Sequence, residues 1–255
     1  MDISVQNYAV AHLRRRPVIV ETGGFVAGFD PATTSPSVNY ATPLPGSRPG
    51  AADVAALIAA FRERGLRPRL EFAPGTAPAV EPALRAAGFT TEEEHVYLVC
   101  TPRTLTAPSD PAGPVVEVPC RDAEFAAIDA ALSAAFGDVF PASAEGAARL
   151  RRTEEDGGAV RFVRAPDGGV AGGAGVSAPA VGTCELWGVG TRPAFRGRGI
   201  ASAVTAALTG AMFERGAESV WLEYSGEGSR RVYERLGYQP RGNRLYLALD
   251  EEPQG

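Results

Sequence analysis

Lysine is missing from this chain: all 25 basic residues among its 255 are arginine. Its absence excludes a Schiff-base enzyme, a pyridoxal phosphate enzyme anchored through lysine, a Walker-A nucleotide site and a conventional kinase. With 30 glycines, 21 prolines and many alanines, a GC-rich codon bias is one reading of the gap, and pressure against modification of the protein's own amines is the other. Histidine is nearly as scarce, at His12 and His95, and the three cysteines (Cys100, Cys120, Cys184) lack metal-ligand spacing. Neither a metal nor a disulfide scaffold is expected. No apolar run reaches the ~18 residues of a membrane span. The opening MDISVQNYAVAHLRRR has no apolar stretch of the secretory kind, so a cytoplasmic protein without a membrane partner is expected. Net basic charge is lacking too. The total is −5, with 10 Arg against 10 acids up to residue 107 and 15 against 20 beyond it. Nucleic acid is not an expected partner, and the mild negative field of the second half fits either a cationic substrate or a solvated acidic surface.

What is present describes a globular chain. An apolar fraction of 45% and a charged fraction of 22% support a packed core, and the length suits one or two domains. Residues 104–114 (TLTAPSDPAGP) read as a linker region, giving domains of 1–105 and 114–250 joined by 106–113. In the second half, strands are expected at 115–118, 159–164, 170–178, 184–190, 219–224 and 244–249. Helices are expected from Asp122, which can cap the first, then up to Arg152, from Ile200 and over 228–236. The helix from Ile200 places Val204, Leu208 and Met212 at four-residue spacing. This order is that of an α/β protein with a mixed sheet flanked by helices. The first half holds a fainter copy. AAFRERGLRPRLEF (59–72) parallels AMFERGAESVWLEY (211–224), and LRAAGF (84–89) parallels YERLGY (233–238). NYATP (39–43) stands where a strand precedes the glycine turn, but no RGRG-like loop follows it.

The chemistry centres on ELWGVGTRPAFRGRGIAS (185–202), a strand leading through Arg196-Gly197-Arg198-Gly199 into a helix of small residues. Glycines let a backbone approach a ligand closely, and amide groups at a helix start bind phosphate oxygens without lysine. Arg196 and Arg198 can add charge-assisted hydrogen bonds. A dinucleotide-binding G-x-G-x-x-G fits less well, because Ser202 holds its third position and residues 192–195 separate strand from glycines.

Residues 114–250 resemble the GNAT superfamily of acyl-CoA-dependent N-acyltransferases. The resemblance rests on Arg196-Gly197-Arg198-Gly199-Ile200-Ala201, on the preceding Val189-Gly190-Thr191 and on VYERLGY (232–238). The duplicated first half is similar to tandem-GNAT proteins with one degenerate copy. The resemblance implies two GNAT-like domains, each a mixed central sheet flanked by helices, with acetyl-CoA as co-substrate. It implies that Gly197, Arg198, Gly199, Ile200 and Ala201 cradle the CoA pyrophosphate and that Val189 and Thr191 pair with pantetheine. Gly188 and Gly190 suit a bulge that splays this strand from its neighbour. Many relatives carry Asn where this chain has Gly226.

Acyl transfer to an amine needs a base for the alkylammonium and an acid for the departing thiolate. Tyr233 is the candidate acid. Glu185, on the strand beside the thioester, is the candidate base, with Glu223 as second choice. The acceptor pocket is expected to draw on 136–140 (FGDVF), where Phe136 and Phe140 flank a loop whose Asp138 can hold a cation. The expected activity is N-acetyl transfer to a primary amine of a small molecule or peptide, by a monomer or homodimer. Another acyl donor (an aminoacyl-tRNA or a longer acyl-CoA), non-catalytic acyl-CoA binding and a dinucleotide oxidoreductase are the alternatives.

Overall fold

The computed structural model describes residues 1–106, 113–139, 141–224 and 226–250. It divides into two compact units, Met1–Tyr97 with Arg241–Gly255, and Leu98–Pro240. The boundary expected at 106–113 is therefore not the dividing line, and 107–112 lie outside the described residues. The division passes instead through two strands, β5 (Thr90–Cys100) and β11 (Gln239–Ala248). The last strand, assigned from sequence to the second domain, thus belongs mostly to the first unit, where Leu245 and Leu247 enter its core. Alternating apolar residues require burial on one face, but nothing local says which sheet provides it.

The first unit runs α1 (Asp2–Leu13), β1 (Val18–Thr22), β2 (Phe25–Phe29), β3 (Tyr40–Pro43), α2 (Ala51–Arg62), β4 (Arg69–Phe72), α3 (Val80–Ala86) and β5. Its strands lie in the order β1-β2-β3-β4-β11-β5. The second unit runs β6 (Val116–Glu117), α4 (Asp122–Ala135), α5 (Ala144–Glu155), β7 (Ala159–Arg164), β8 (Val170–Val176), β9 (Thr183–Thr191), α6 (Ile200–Glu214), β10 (Ser219–Glu223) and α7 (Glu227–Arg235). Its order is β10-β9-β8-β7-β6. The succession α1-β1-β2-β3-α2-β4-α3-β5 recurs as α5-β7-β8-β9-α6-β10-α7-β11. Strand senses recur with it. In each unit two antiparallel pairings are followed by one parallel pairing, β3 with β4 and β9 with β10. A sheet with antiparallel β7, β8 and β9 is not the parallel, doubly wound sheet that the dinucleotide reading requires.

Glycines thin β8 (VAGGAGV) so that helices close on both of its faces. A Cβ on Gly173 would lie 3.5 Å from Ile128 of α4, and one on the adjacent Gly172 3.1 Å from Ile200 of α6. Successive residues of a strand face opposite ways, so α4 and α6 cover opposite faces. On the α4 side, Phe125, Ile128 and Leu132 pack with Leu150, Val160 and Phe162. On the other side, Ile200, Val204, Leu208 and Met212 form the expected buried stripe of α6. Arg121, not Asp122, occupies the cap of α4. The Glu124 carboxylate accepts the N–H groups of Cys120 at 2.9 Å and Arg121 at 3.2 Å, satisfying the helix start from its first turn.

In the first unit, His12 sits at the end of α1 between Tyr8 (hydroxyl to Nδ1, 3.4 Å) and Arg16 (Nη2 to Nε2, 3.4 Å). Desolvation, then the charges of Arg16, Arg15 and Arg244, lower its pKa from 6.5 to about 3. Between those two values the unfolded chain takes up a proton that folded His12 does not. Its contribution is therefore complete above about pH 6.5 and is lost as pH falls towards 3. Going from pH 7 to 5 is expected to cost up to about 2 kcal/mol through this group, at ~1.4 kcal/mol per pH unit. Denaturant unfolding at the two pH values checks this: His12→Gln should flatten the difference, and an unchanged slope would remove His12 as its source.

Candidate active site

Strand β9 governs the site. Among the described residues it pairs in parallel with β10 at three positions, ending at Glu185 opposite Trp221, and then continues to Thr191 with no further β10 partner. Against β8 it carries an extra residue. Gly173 faces Gly190 and Gly175 faces Trp187, so two steps on β8 match three on β9. Gly188, inside the extra step, has φ +64°, a conformation that glycine adopts without strain. The bulge and the parting of β9 from β10 are those expected of Gly188 and Gly190. They leave the segment holding Val189 and Thr191 as a strand edge.

Beyond Thr191, a short 3₁₀ turn (Pro193–Phe195) leads to Gly197 (φ +75°) and Gly199 (φ +77°), the residue before α6. No side chain caps this helix. Among the described residues, the backbone N–H groups of Gly197, Arg198, Gly199, Ile200, Ala201 and Ser202 find no acceptor. The first amide to close is that of Ala203, on the Gly199 carbonyl at 2.9 Å. A Cβ on Gly197 would meet nothing within 4 Å, so the space before these amides is open. Six consecutive donors at the positive end of a helix dipole form an anion cradle, and their chemistry fits a pyrophosphate.

The two arginines of the loop have partners of their own. Arg196 donates from Nε to the Thr191 carbonyl (3.3 Å) and from Nη2 to the Ala135 carbonyl (2.9 Å) at the end of α4. Arg198 donates to the Ala194 carbonyl (3.3 Å) and, like Arg192, lies over the Phe195 ring. Backbone amides, with Arg198 as nearby charge, are thus what the loop presents. A cleft of about 310 Å³ adjoins it, lined by Pro114, Val163, Pro166, Phe195, Arg198 and Ile200 among others.

Tyr233 is the one buried residue of α7 and packs edge-on against Tyr238, with ring centroids 6.1 Å apart. Its hydroxyl has no hydrogen-bond partner among the described residues, and burial pushes its pKa up to about 12. Glu185 is half-buried on β9. Alternation places it on the face of Trp187, whose ring fills the space above Gly175 next to the α4 core. No hydrogen bond joins Glu185 to Tyr233. Glu223 is half-buried at the end of β10. Cys184, next to Glu185, is pushed up to about 12 by burial and then by the charge of Glu185, so it stays a thiol and is a poor nucleophile.

In the expected acceptor loop, Phe136 is 43% exposed and Asp138 is exposed. Phe140 lies outside the described residues. Asp138 has φ +58°, rare for a non-glycine residue, and its Oδ1 accepts from the buried Ser133 hydroxyl at 2.8 Å. Gly190 joins this loop to β9. Its hypothetical Cβ would stand 2.9 Å from Leu132, 3.0 Å from Ala135 and 3.3 Å from Phe136. Missed in the sequence were the clamp from Arg196 to the end of α4 and the Ser133 support for Asp138. Both link positions far apart in the chain or depend on rotamers, and the alternation of Arg with Phe in RPAFR was the one local signal. Gly226 precedes α7 with φ +82°, and a Cβ there would meet nothing within 4 Å. Among the described residues, no group of three or more His, Cys, Asp or Glu side chains is placed to hold a metal, and no helix is long and apolar enough to cross a membrane.

Residues 125–238 are similar to the Acetyltransferase (GNAT) family. A GCN5-related N-acetyltransferase from Kribbella flavida is similar at 25% identity and TM-score 0.81, covering 99% of this chain and 96% of that one. A putative acetyltransferase of the GNAT family from Novosphingobium aromaticivorans is 23% identical with a TM-score of 0.60, covering 96% and 98%. A tandem GNAT protein from the clavulanic acid biosynthesis pathway is 13% identical with a TM-score of 0.63, covering 92% and 80%. No curated protein matches the chain. The mixed α/β fold is that of its GNAT neighbours, and this likeness with the match over 125–238 supports an acyltransferase in general terms.

Gly190→Val should push α4 and its following loop away from β9, destabilising the protein by about 1–3 kcal/mol. Thermal unfolding checks this; an unshifted midpoint would mean that α4 does not bear on β9 at this point.

Proposed function

We propose that the chain transfers an acetyl group from acetyl-CoA to a primary amine of a small molecule or peptide. The observation that carries this reading is the run of six unpartnered amides at the head of α6, continuous with the strand edge where β9 has left β10. Gly197, Arg198, Gly199, Ile200 and Ala201 would hold the pyrophosphate, Arg196 would keep their loop in shape, and Val189 and Thr191 would offer strand-like pairing to the pantetheine amides. Acetyl-CoA, when bound, supplies the acyl group as an activated thioester.

The chain's own groups then have separate tasks. Tyr233 keeps its proton across the working pH range, because its pKa is raised, and it is the group assigned to protonate the departing sulfur. Its unengaged hydroxyl favours catalysis over simple acyl-CoA binding. Glu185 is assigned to receive the proton of the incoming ammonium, with Glu223 as alternative. Phe136 and Asp138 are assigned to the acceptor, the carboxylate holding a cationic amine at the loop edge. The first unit is read as a second, degenerate copy of the fold, supported by the recurring succession of elements and strand senses. The whole acts as a cytoplasmic monomer or homodimer.

Acetyl-CoA at ~100 times its dissociation constant should stabilise the protein by ~2.7 kcal/mol. Thermal unfolding with and without it should show that shift in the wild type and none in Gly197→Glu. Equal shifts would move the cofactor away from the α6 loop. Tyr233→Phe should lower kcat by about 10²–10⁴-fold, the usual worth of a positioned general acid, with the acetyl-CoA shift preserved. A variant with undiminished turnover would remove Tyr233 from the mechanism.

A further inference from the structure

The first unit repeats the elements that form the site in the second, and its own side chains occupy the corresponding places. Strand β3 pairs with β4 at Ala41 and Leu70, after which the strand ends are bridged by side chains. Gln6 of α1, 1% exposed, donates from Nε2 to the Thr42 hydroxyl (2.8 Å) and the Pro43 carbonyl (2.7 Å), and its Oε1 accepts the Ala73 N–H (2.9 Å). The Thr42 hydroxyl in turn donates to the Glu71 carbonyl at 2.8 Å. One amide group thus gives a hydrogen bond to one strand end and takes one from the chain just after the other. That is the pairing an amide-bearing ligand would make in a gap between strands. In the second unit, the corresponding stretch of α5 offers Ala147 and Ala148, which carry no such group.

A second, separate observation concerns the helix that follows. The N–H of Gly50, ahead of α2, donates to the Asp53 carboxylate at 2.8 Å. Asp53 is the third residue of its helix, and Ser202 holds that place in α6. Gly50 has φ −89°, not the left-handed conformation of Gly199. The carboxylate satisfies the Gly50 N–H only, and the amides of Ala51, Ala52 and Asp53, like those of Ile200, Ala201 and Ser202, find no acceptor among the described residues; what differs is a fixed negative charge at the start of α2, which opposes an incoming phosphate.

We infer that the first unit carries a self-filled counterpart of the cofactor site, in which Gln6 takes the place of a ligand amide and Asp53 that of a ligand phosphate, so that the chain binds one acyl-CoA and not two. The inference rests on the function proposed above for the α6 loop. It gives the first unit the role of a closed partner fold, with no ligand exchange of its own.

Two measurements test it on the full chain. Calorimetric titration with acetyl-CoA should give one equivalent per chain, and none for Gly197→Glu with its circular dichroism unchanged. A second equivalent, or one that survives Gly197→Glu, overturns the inference. Amide hydrogen exchange reads the plug without any ligand. The Ala73 N–H should be protected, indifferent to acetyl-CoA, and at least about tenfold faster to exchange in Gln6→Ala, as a lost hydrogen bond of ~1.4 kcal/mol requires. Equal exchange in wild type and Gln6→Ala also overturns it. A wild-type chain that binds no acetyl-CoA at all, yet shows the Ala73 response, would refute the proposed function and leave the filled gap standing.

Discussion

The parting of β9 from β10 is the constraint on which the rest of the second unit depends. Three residue pairs hold the strands together, and past Glu185 the extra residue at Gly188 bends β9 away. A strand that leaves its neighbour inside a sheet exposes main-chain donors and acceptors that folding ordinarily satisfies. The same departure delivers the chain into Pro193–Phe195 and then into a helix whose first amides have no partner among the described residues. Strand edge and helix start therefore form one continuous backbone surface. Its chemistry is that of amides, which suits a long ligand carrying both amides and phosphates.

Side chains stabilise this surface more than they compose it. The Arg196 fork reaches two carbonyls, one at the end of β9 and one at the end of α4, and so ties the loop to the helix that precedes Phe136 and Asp138. A planar guanidinium can hold two acceptors at fixed angles where a lysine ammonium is a single point charge. The absence of a Cβ at Gly190 lets that end of α4 lie directly on β9. The loop before α6 and the loop after α4 are thereby braced against each other.

The two units show one architecture resolved in opposite ways. Where the second leaves its strand edge and loop amides open, the first supplies side-chain partners, Gln6 to the Ala73 N–H, Thr42 to the Glu71 carbonyl and Asp53 to the Gly50 N–H. Burying a polar gap without partners is costly, so such a gap must be filled by hydrogen bonds from within or be lost. Side chains from α1 and α2 supply them here, at distances of 2.7–2.9 Å.

Much of this was legible in the sequence because it is local. The four-residue stripe of α6, the turn at 166–169, the glycines at 188, 197 and 199, and the repeated helix–strand units all reflect short-range periodicity or the steric freedom of glycine. The mixed sheet followed from the order of those elements. Tertiary structure alone decided which sheet receives β11, since alternating apolar residues such as Leu245 and Leu247 do not name their partner strand. It alone decided that Gln6, 36 residues from Thr42 and 67 from Ala73, should close a gap, and that Arg196 should brace Ala135, 61 residues away. Such contacts join residues whose separation along the chain carries no signal, because long-range pairing is set by how whole faces pack and not by neighbouring residues.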